Sequence, residues 1–287
     1  MFANRQQFAH PELFSQLARD AEQLGFESIW TVEHVVVPLP HTPYPATKDG
    51  KMRGGDDAPI PDPLIPLAYA AALTTKLKLA TGIVILPQHH PLYLAKQVAT
   101  LDVLSHGRVI LGIGSGWMKE EFAAVGVDFH KRGALTDESI QAMRALWRDY
   151  PASFHGKHFN FDNLKSLPKP TRKEGVPIHV GGHSPAAARR AGRLGDGFFG
   201  QIILRGPEPA AQDQQIGPLP RLPDHGHHAG KVVAHGALPV EVDAQIGERA
   251  AEERGVRVHD LAQQKFGPNG DDFSGHGAGS ERGFGLR

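Results

Sequence analysis

Glu33-His34 joins a carboxylate to an imidazole at the end of an apolar run, FESIWTVEH. An imidazole titrates near neutrality, so a histidine there can give or take a proton in general acid–base chemistry, with Glu33 as its orienting partner or a second polar contact. Gly181-Gly182-His183-Ser184-Pro185 follows another apolar run. Glycines let backbone approach a ligand. Ser184 suits a helix N-cap and Pro185 a first helical position, and the N–H groups of such a turn attract an anion. On residue chemistry alone, a plain capped turn explains this segment at least as well as a phosphate site does. Gly112-Ile113-Gly114-Ser115-Gly116 imitates a dinucleotide fingerprint, but Trp117 stands at the sixth position. The acidic residue that should close the next strand is also missing. We read the segment as a glycine-lined strand end against which a flat ring can lie. Thr81-Gly82 interrupts the run LKLATGIVIL and marks a bulge or a close backbone approach.

Other chemistries are excluded or disfavoured. The chain has no cysteine, which removes disulfides, thiolate metal sites and cysteine nucleophiles. His89-His90 and the group His225, His227 and His228 lack a carboxylate at metal-ligand spacing, so no metal site is expected. A serine nucleophile elbow and a P-loop are both absent. Lys+Arg and Asp+Glu are 31 each, and that balance disfavours a nucleic-acid partner. No apolar run is long enough to span a membrane, so a cytoplasmic protein is expected.

The elements that must position these residues alternate. Helical patterns are expected over 11–24, 64–75, 91–105, 118–125, 133–149 and 184–194. Strands are expected over 26–34, 77–86, 108–114, 177–182 and 196–199. The strands are nearly continuous Val/Ile/Leu runs, the mark of parallel strands covered on both faces. Serial βα units imply an α/β fold, either a (β/α)8 TIM barrel or a doubly wound sheet. Residues 37–63 form a long Pro/Gly-rich loop placed to cover a substrate. Residues 153–169 read as a small hairpin.

Seven blocks carry a resemblance: Trp30-Thr31-Val32-Glu33-His34, Ala80-Thr81-Gly82-Ile83, Leu94-Ala95-Lys96-Gln97 with Thr100 to Ser105, Gly112 to Trp117, Arg132-Gly133 with Thr136-Asp137-Glu138, Val180 to Ser184, and Gly195 to Phe198. In this order, over about residues 2–200, the chain resembles the bacterial-luciferase-like superfamily, and within it the coenzyme F420 (deazaflavin)-dependent oxidoreductases. The resemblance implies a (β/α)8 barrel that binds a deazaflavin, or alternatively FMN, at the strand C-termini and moves a hydride to or from a small organic substrate. It makes His34 the proton-handling residue beside the reactive ring and Glu33 its catalytic neighbour. It places the cofactor phosphate on Gly181, Gly182 and Ser184. Thr81-Gly82 would lie behind the tricyclic ring, with Gly112, Gly114 and Gly116 alongside. Arg132 and Glu138 would contact the cofactor or each other. Sugar-phosphate dehydrogenases of the deazaflavin group carry an acid where Trp117 stands, so that role does not transfer, although Glu120 and Glu121 lie just beyond. A homodimer is expected from the family's habits. The FMN alternative is a monooxygenase with a separate flavin reductase.

The resemblance fades after residue 200. Residues 201–287 hold 14 of the 33 glycines but only 3 of the 21 aromatics, so they form a separate C-terminal segment, divergent or read in a shifted frame and partly disordered. Within it, only 242–254 has a helical pattern. Residues 1–4 match the second half of a first strand, with the true start upstream. Two other readings stay open: a non-flavin barrel enzyme such as a phosphosugar isomerase or aldolase, and a catalytically impaired remnant whose barrel is incomplete.

Overall fold

In a computed structural model of the chain, residues 3–200 are described, apart from 46, 48 and 53. The expectations for 201–287, including the separate C-terminal segment, its helix at 242–254 and its histidines, lie outside the described residues.

Helix starts follow the prolines. Pro11, Pro91 and Pro185 each open a helix at its first position, where a missing N–H is harmless: α1 (Pro11–Gln23), α3 (Pro91–Leu104) and α6 (Pro185–Leu194). The other helices are α2 (Leu64–Leu73), α4 (Lys119–Ala124) and α5 (Arg132–Arg148). Between them run β1 (Ser28–Thr31), β2 (Lys78–Thr81), β3 (Val84–Ile85), β4 (Val109–Gly114), β7 (Ile178–Gly182) and β8 (Gly197–Gly200). The hairpin is β5 (Ala152–His155) with β6 (Asn160–Leu164), antiparallel.

The main sheet runs β1-β2-β4-β7-β8, with β3 also on β4, and every pairing in it is parallel. Strands that are neighbours in sequence are neighbours in the sheet. A doubly wound sheet would reverse its order at a switch point, so this arc is that of a (β/α)8 barrel. Leu94, Val98 and Leu101 of α3 and Ile140, Met143 and Trp147 of α5 are buried at helical spacing in the core that contains Leu79, Leu111, Ile113, Ile178 and Val180 of the strands. Trp147 donates Nε1–H to the Ala95 carbonyl at 3.0 Å, which joins the two helices.

Two expected strands are shorter than their apolar runs. The run 26–34 pairs only over 28–31. Beyond it, Val32 exchanges bonds with the buried side chain of Asn4 instead of a strand: its N–H reaches Oδ1 and its carbonyl accepts from Nδ2, both at 2.8 Å. Ala3 N–H donates to the Trp30 carbonyl at 2.7 Å, so residues 3 and 4 lie along β1. The run 77–86 splits into β2 and β3 around Gly82, and the Gly82–Ile83 peptide is cis. This bulge rests on glycines. A Cβ on Gly112 would stand 1.8 Å from the Thr81 carbonyl oxygen. One on Gly114 or Gly181 would stand 2.7 or 2.6 Å from Ile83 carbons. The buried Thr81 hydroxyl donates to the Gly112 carbonyl at 2.7 Å and closes the contact.

The glycine contacts and one carboxylate each yield a prediction. Gly112→Ala drives a methyl into backbone and is expected to lose about 3 kcal/mol of stability. Gly192→Ala in α6 meets nothing within 4 Å and is expected to gain about 0.5–1 kcal/mol by helix propensity. Equal urea midpoints for the two variants would contradict the packing argument. The second prediction concerns Glu22, whose carboxylate accepts the N–H groups of Thr75, Lys76 and Leu77. Desolvation opposes its charge, but these donors outweigh it and hold the pKa at about 2. The unfolded chain therefore binds the extra proton below its ordinary value near 4.5, and the contribution present at neutral pH is lost as pH falls toward 2. After allowance for solvent screening it is about 1 kcal/mol. Glu22→Gln should remove that part of the acid sensitivity, as read from urea midpoints at pH 3 and pH 7.

Candidate functional site

The C-terminal ends of β1, β3, β4 and β7 converge, and the polar residues singled out from the sequence sit on them. Barrel enzymes place their chemistry at this end. A cavity of about 160 Å³, lined by Lys78, Arg108, His179 and Asp196, lies at the opposite end of the strands. Paired acid–base groups gather at the His34 end.

Two carboxylates organise this end. Glu121 of α4 is 1% exposed. Its Oε1 accepts the Val35 N–H at 2.7 Å, and its Oε2 lies 3.0 Å from His34 Nδ1. A carboxylate engaged this way takes the Nδ1 proton bond and leaves His34 Nε2 for an outside partner. Glu33 turns the other way. Its buried carboxylate accepts the Ile85 N–H at 2.5 Å through Oε2 and meets His89 Nε2 at 2.8 Å through Oε1. Burial works against charge on His89, yet the Glu33 bond and charge, with Asp62 adding, raise its pKa above the usual imidazole value. The structure thus separates Glu33 from His34: they are adjacent in sequence but serve different partners.

Trp117 fills the turn after β4. The rings of His34 and His41 meet it edge-on, at 5.9 and 6.0 Å between centroids, and Tyr44 leans on it at 5.2 Å. The long loop is tied to α4 at the same place, since Glu120 accepts the Thr42 N–H and hydroxyl at 3.0–3.1 Å. The Thr42 N–H lowers the Glu120 pKa. His41 bonds the Thr42 carbonyl through Nδ1 at 2.7 Å and pairs with Asp56 through Nε2 at 3.2 Å. The Thr42 bond, then Asp56 and Glu120, raise its pKa against a desolvation that lowers it.

At the end of β7, Gly182 has φ +137°, and Ser184 caps α6 by accepting the Ala187 N–H at 3.2 Å. His183 and Ser184 are exposed. The first-turn N–H of Ala186 has no helical partner by position. Gly112, Gly114 and Gly181 turn their open sides to the Thr81–Ile83 bulge, and Gly116 turns its own to Phe122. Their nearest neighbours are protein atoms. Thr81 uses its hydroxyl on Gly112, and the Gly82 N–H bonds the Thr31 carbonyl at 2.6 Å. Arg132 lies over the Phe129 ring, and Glu138 accepts the N–H groups of Lys157, His158 and Phe159 in the hairpin turn; the two side chains do not pair with each other.

Sequence reasoning named His34 but missed how it is held. Glu121 is 87 residues away, and its only sequence signal is two adjacent acids opening a helix. His89 has no metal-ligand spacing, and its carboxylate partner Glu33 lies 56 residues away in sequence. Among the described residues, no group of three His, Asp or Glu could hold a metal ion, and no helix is long and apolar enough to cross a membrane.

Comparison with known proteins gives a consistent family. The profile of the luciferase-like monooxygenase family matches residues 3–214. An F420-dependent glucose-6-phosphate dehydrogenase of Kineococcus radiotolerans is 32% identical over 202 residues, which cover 69% of this chain and 54% of that protein. A crystal structure of a monooxygenase from Streptomyces bottropensis is 31% identical with a TM-score of 0.53, over 66% of this chain and 54% of that one. An F420-dependent secondary alcohol dehydrogenase, solved with an F420–acetone adduct, is 27% identical with a TM-score of 0.56, over 69% of this chain and 56% of that one. The chain also matches uncharacterized mycobacterial proteins at 36% identity and spans 58% of their length. It thus spans little more than half the length of these relatives.

The Glu33–His89 pair yields a prediction. Glu33→Gln keeps an acceptor but removes the charge, so burial is opposed less and the His89 pKa should fall. Ring-proton shifts followed by NMR across pH 5–8 would show it. An unmoved midpoint would contradict the pairing.

Proposed function

The chain belongs to the luciferase-like monooxygenase family, and on that premise we propose that it is a coenzyme F420-dependent oxidoreductase that moves a hydride to or from a small organic substrate. The observation that carries the reading is the His34–Glu121 pair. A histidine held through Nδ1 by a buried carboxylate, with Nε2 left for a partner, is built to exchange a proton. Hydride transfer at an alcohol or a carbonyl needs such a proton exchange on the substrate oxygen.

The residues present fit a phosphate-bearing cofactor. Gly182 has a backbone conformation that favours glycine, a Cβ there would lie 2.8 Å from Ala187 Cβ, and the exposed turn opens onto the first turn of α6. Gly181, Gly182 and Ser184 would hold the phosphate. Thr81 and Gly82 would present the bulge to the ring, and Gly112, Gly114 and Gly116 would act by giving that bulge and the Trp117 turn their room. When bound, the deazaflavin supplies the hydride-carrying centre. Glu33 is a positioning residue for Ile85 and His89 in this reading. The second reading is an FMN-dependent monooxygenase served by a separate reductase, and the 31% identity to a monooxygenase favours it. A homodimer is compatible with either.

Titration of the purified chain with coenzyme F420 and with FMN, side by side and followed by fluorescence, tests the reading. Selective F420 binding is expected; FMN binding with none for F420 would overturn it. In the loaded enzyme, His34→Ala should slow turnover by about 10²–10⁴-fold while cofactor affinity stays unchanged. Unchanged turnover would remove His34 from the chemistry.

A further inference from the structure

We propose that Trp117 selects the substrate, and that the substrate is an uncharged alcohol or carbonyl compound with an apolar face rather than an anionic sugar phosphate. This rests on the reading of His34 as the proton-handling residue, since it is the distance from His34 that places the substrate.

The ring of Trp117 is half-buried and stands 5.9 Å from the ring of His34, at 81° to it. A molecule whose oxygen reaches His34 Nε2 is therefore a neighbour of the indole. The indole cannot easily swing aside. His41 and Tyr44 flank it, and the stretch that carries His34 and Thr42 is tied to α4 twice, by Val35 on Glu121 and by Thr42 on Glu120. Gly116 enters the turn at φ +76°, and a Cβ there would stand 2.6 Å from the Phe122 ring, so the turn itself is packed in place. A fixed aromatic face favours a flat or apolar partner.

Charge points the same way. Four carboxylates, those of Glu33, Asp56, Glu120 and Glu121, gather around this end of the sheet, and three of them are paired with His89, His41 and His34. His34, His41 and His89 thus each already have an acid partner. A phosphate brought beside Trp117 would be repelled by these carboxylates, and the charge of the neighbouring Lys119 already acts on Glu120. The two cofactor-named relatives differ on this point: one is named for glucose 6-phosphate and the other for a secondary alcohol. The surroundings of Trp117 favour a substrate like the second.

Saturation-transfer NMR on the full chain tests the proposal, with cyclohexanone and glucose 6-phosphate as probes, with and without coenzyme F420. Cyclohexanone should receive saturation and show contacts to the Trp117 indole, and glucose 6-phosphate should not compete. Trp117→Ala should weaken cyclohexanone binding about 10- to 100-fold, whereas Trp117→Phe should stay within about threefold. Circular-dichroism melts identify a variant that has not folded, and the wild-type indole contacts then decide alone. Glucose 6-phosphate binding as well as cyclohexanone, absence of cyclohexanone binding, or indifference to Trp117→Ala would each overturn the proposal. Failure of F420 to bind while cyclohexanone still contacts Trp117 would remove the cofactor reading and leave this one standing.

Discussion

A carboxylate that is 1% exposed must find donors inside the protein, and Glu121 finds both of its donors on the stretch just after β1. Leaving such a charge without partners would cost several kcal/mol. That requirement ties α4 to the end of β1 across 86 residues of chain. It fixes which nitrogen of His34 is engaged and which, among the described residues, is free. The Trp117 turn, the Thr42–Glu120 bond and the path of the long loop then follow, because each is built on the same short helix.

Backbone packing supplies the other half of the arrangement. β2 and β3 are one barrel strand with a bulge in it, and the bulge fits only because β4 and β7 present glycines to it. Glu33 pins the far side of the bulge through the Ile85 N–H. Side-chain charge and missing side chains therefore act on one segment from opposite directions. The outcome is a rigid rim of strand ends, the kind of scaffold on which small positional errors in a proton-exchanging group are suppressed.

Much of this was legible in the sequence where the cause is local. Pro11, Pro91 and Pro185 announced three helix starts, because a proline's fixed φ acts wherever it sits. Gly82 in a Val/Ile run announced the bulge, and the unbroken apolar runs announced parallel strands. Tertiary causes were invisible. The run 26–34 looked like one strand, but Val32 exchanges its bonds with Asn4. Glu33 and His34 are adjacent in sequence, yet Glu33 serves Ile85 and His89 while His34 meets Glu121. Nothing in the sequence shows that Thr81 and Ile83 lie against Gly112, Gly114 and Gly181. A single sequence carries no sign of such contacts, since each partner lies about 28 to 98 residues away.

The account turns on the state of one imidazole. Its most direct test is the nitrogen-15 spectrum of the neutral His34 ring in the wild-type chain. A carboxylate on Nδ1 predicts the neutral tautomer that carries its proton on Nδ1, with Nε2 unprotonated and available. A spectrum in which the Nε2–H tautomer predominates would show that Glu121 does not hold the ring, and the proton route drawn from that pair would fall with it.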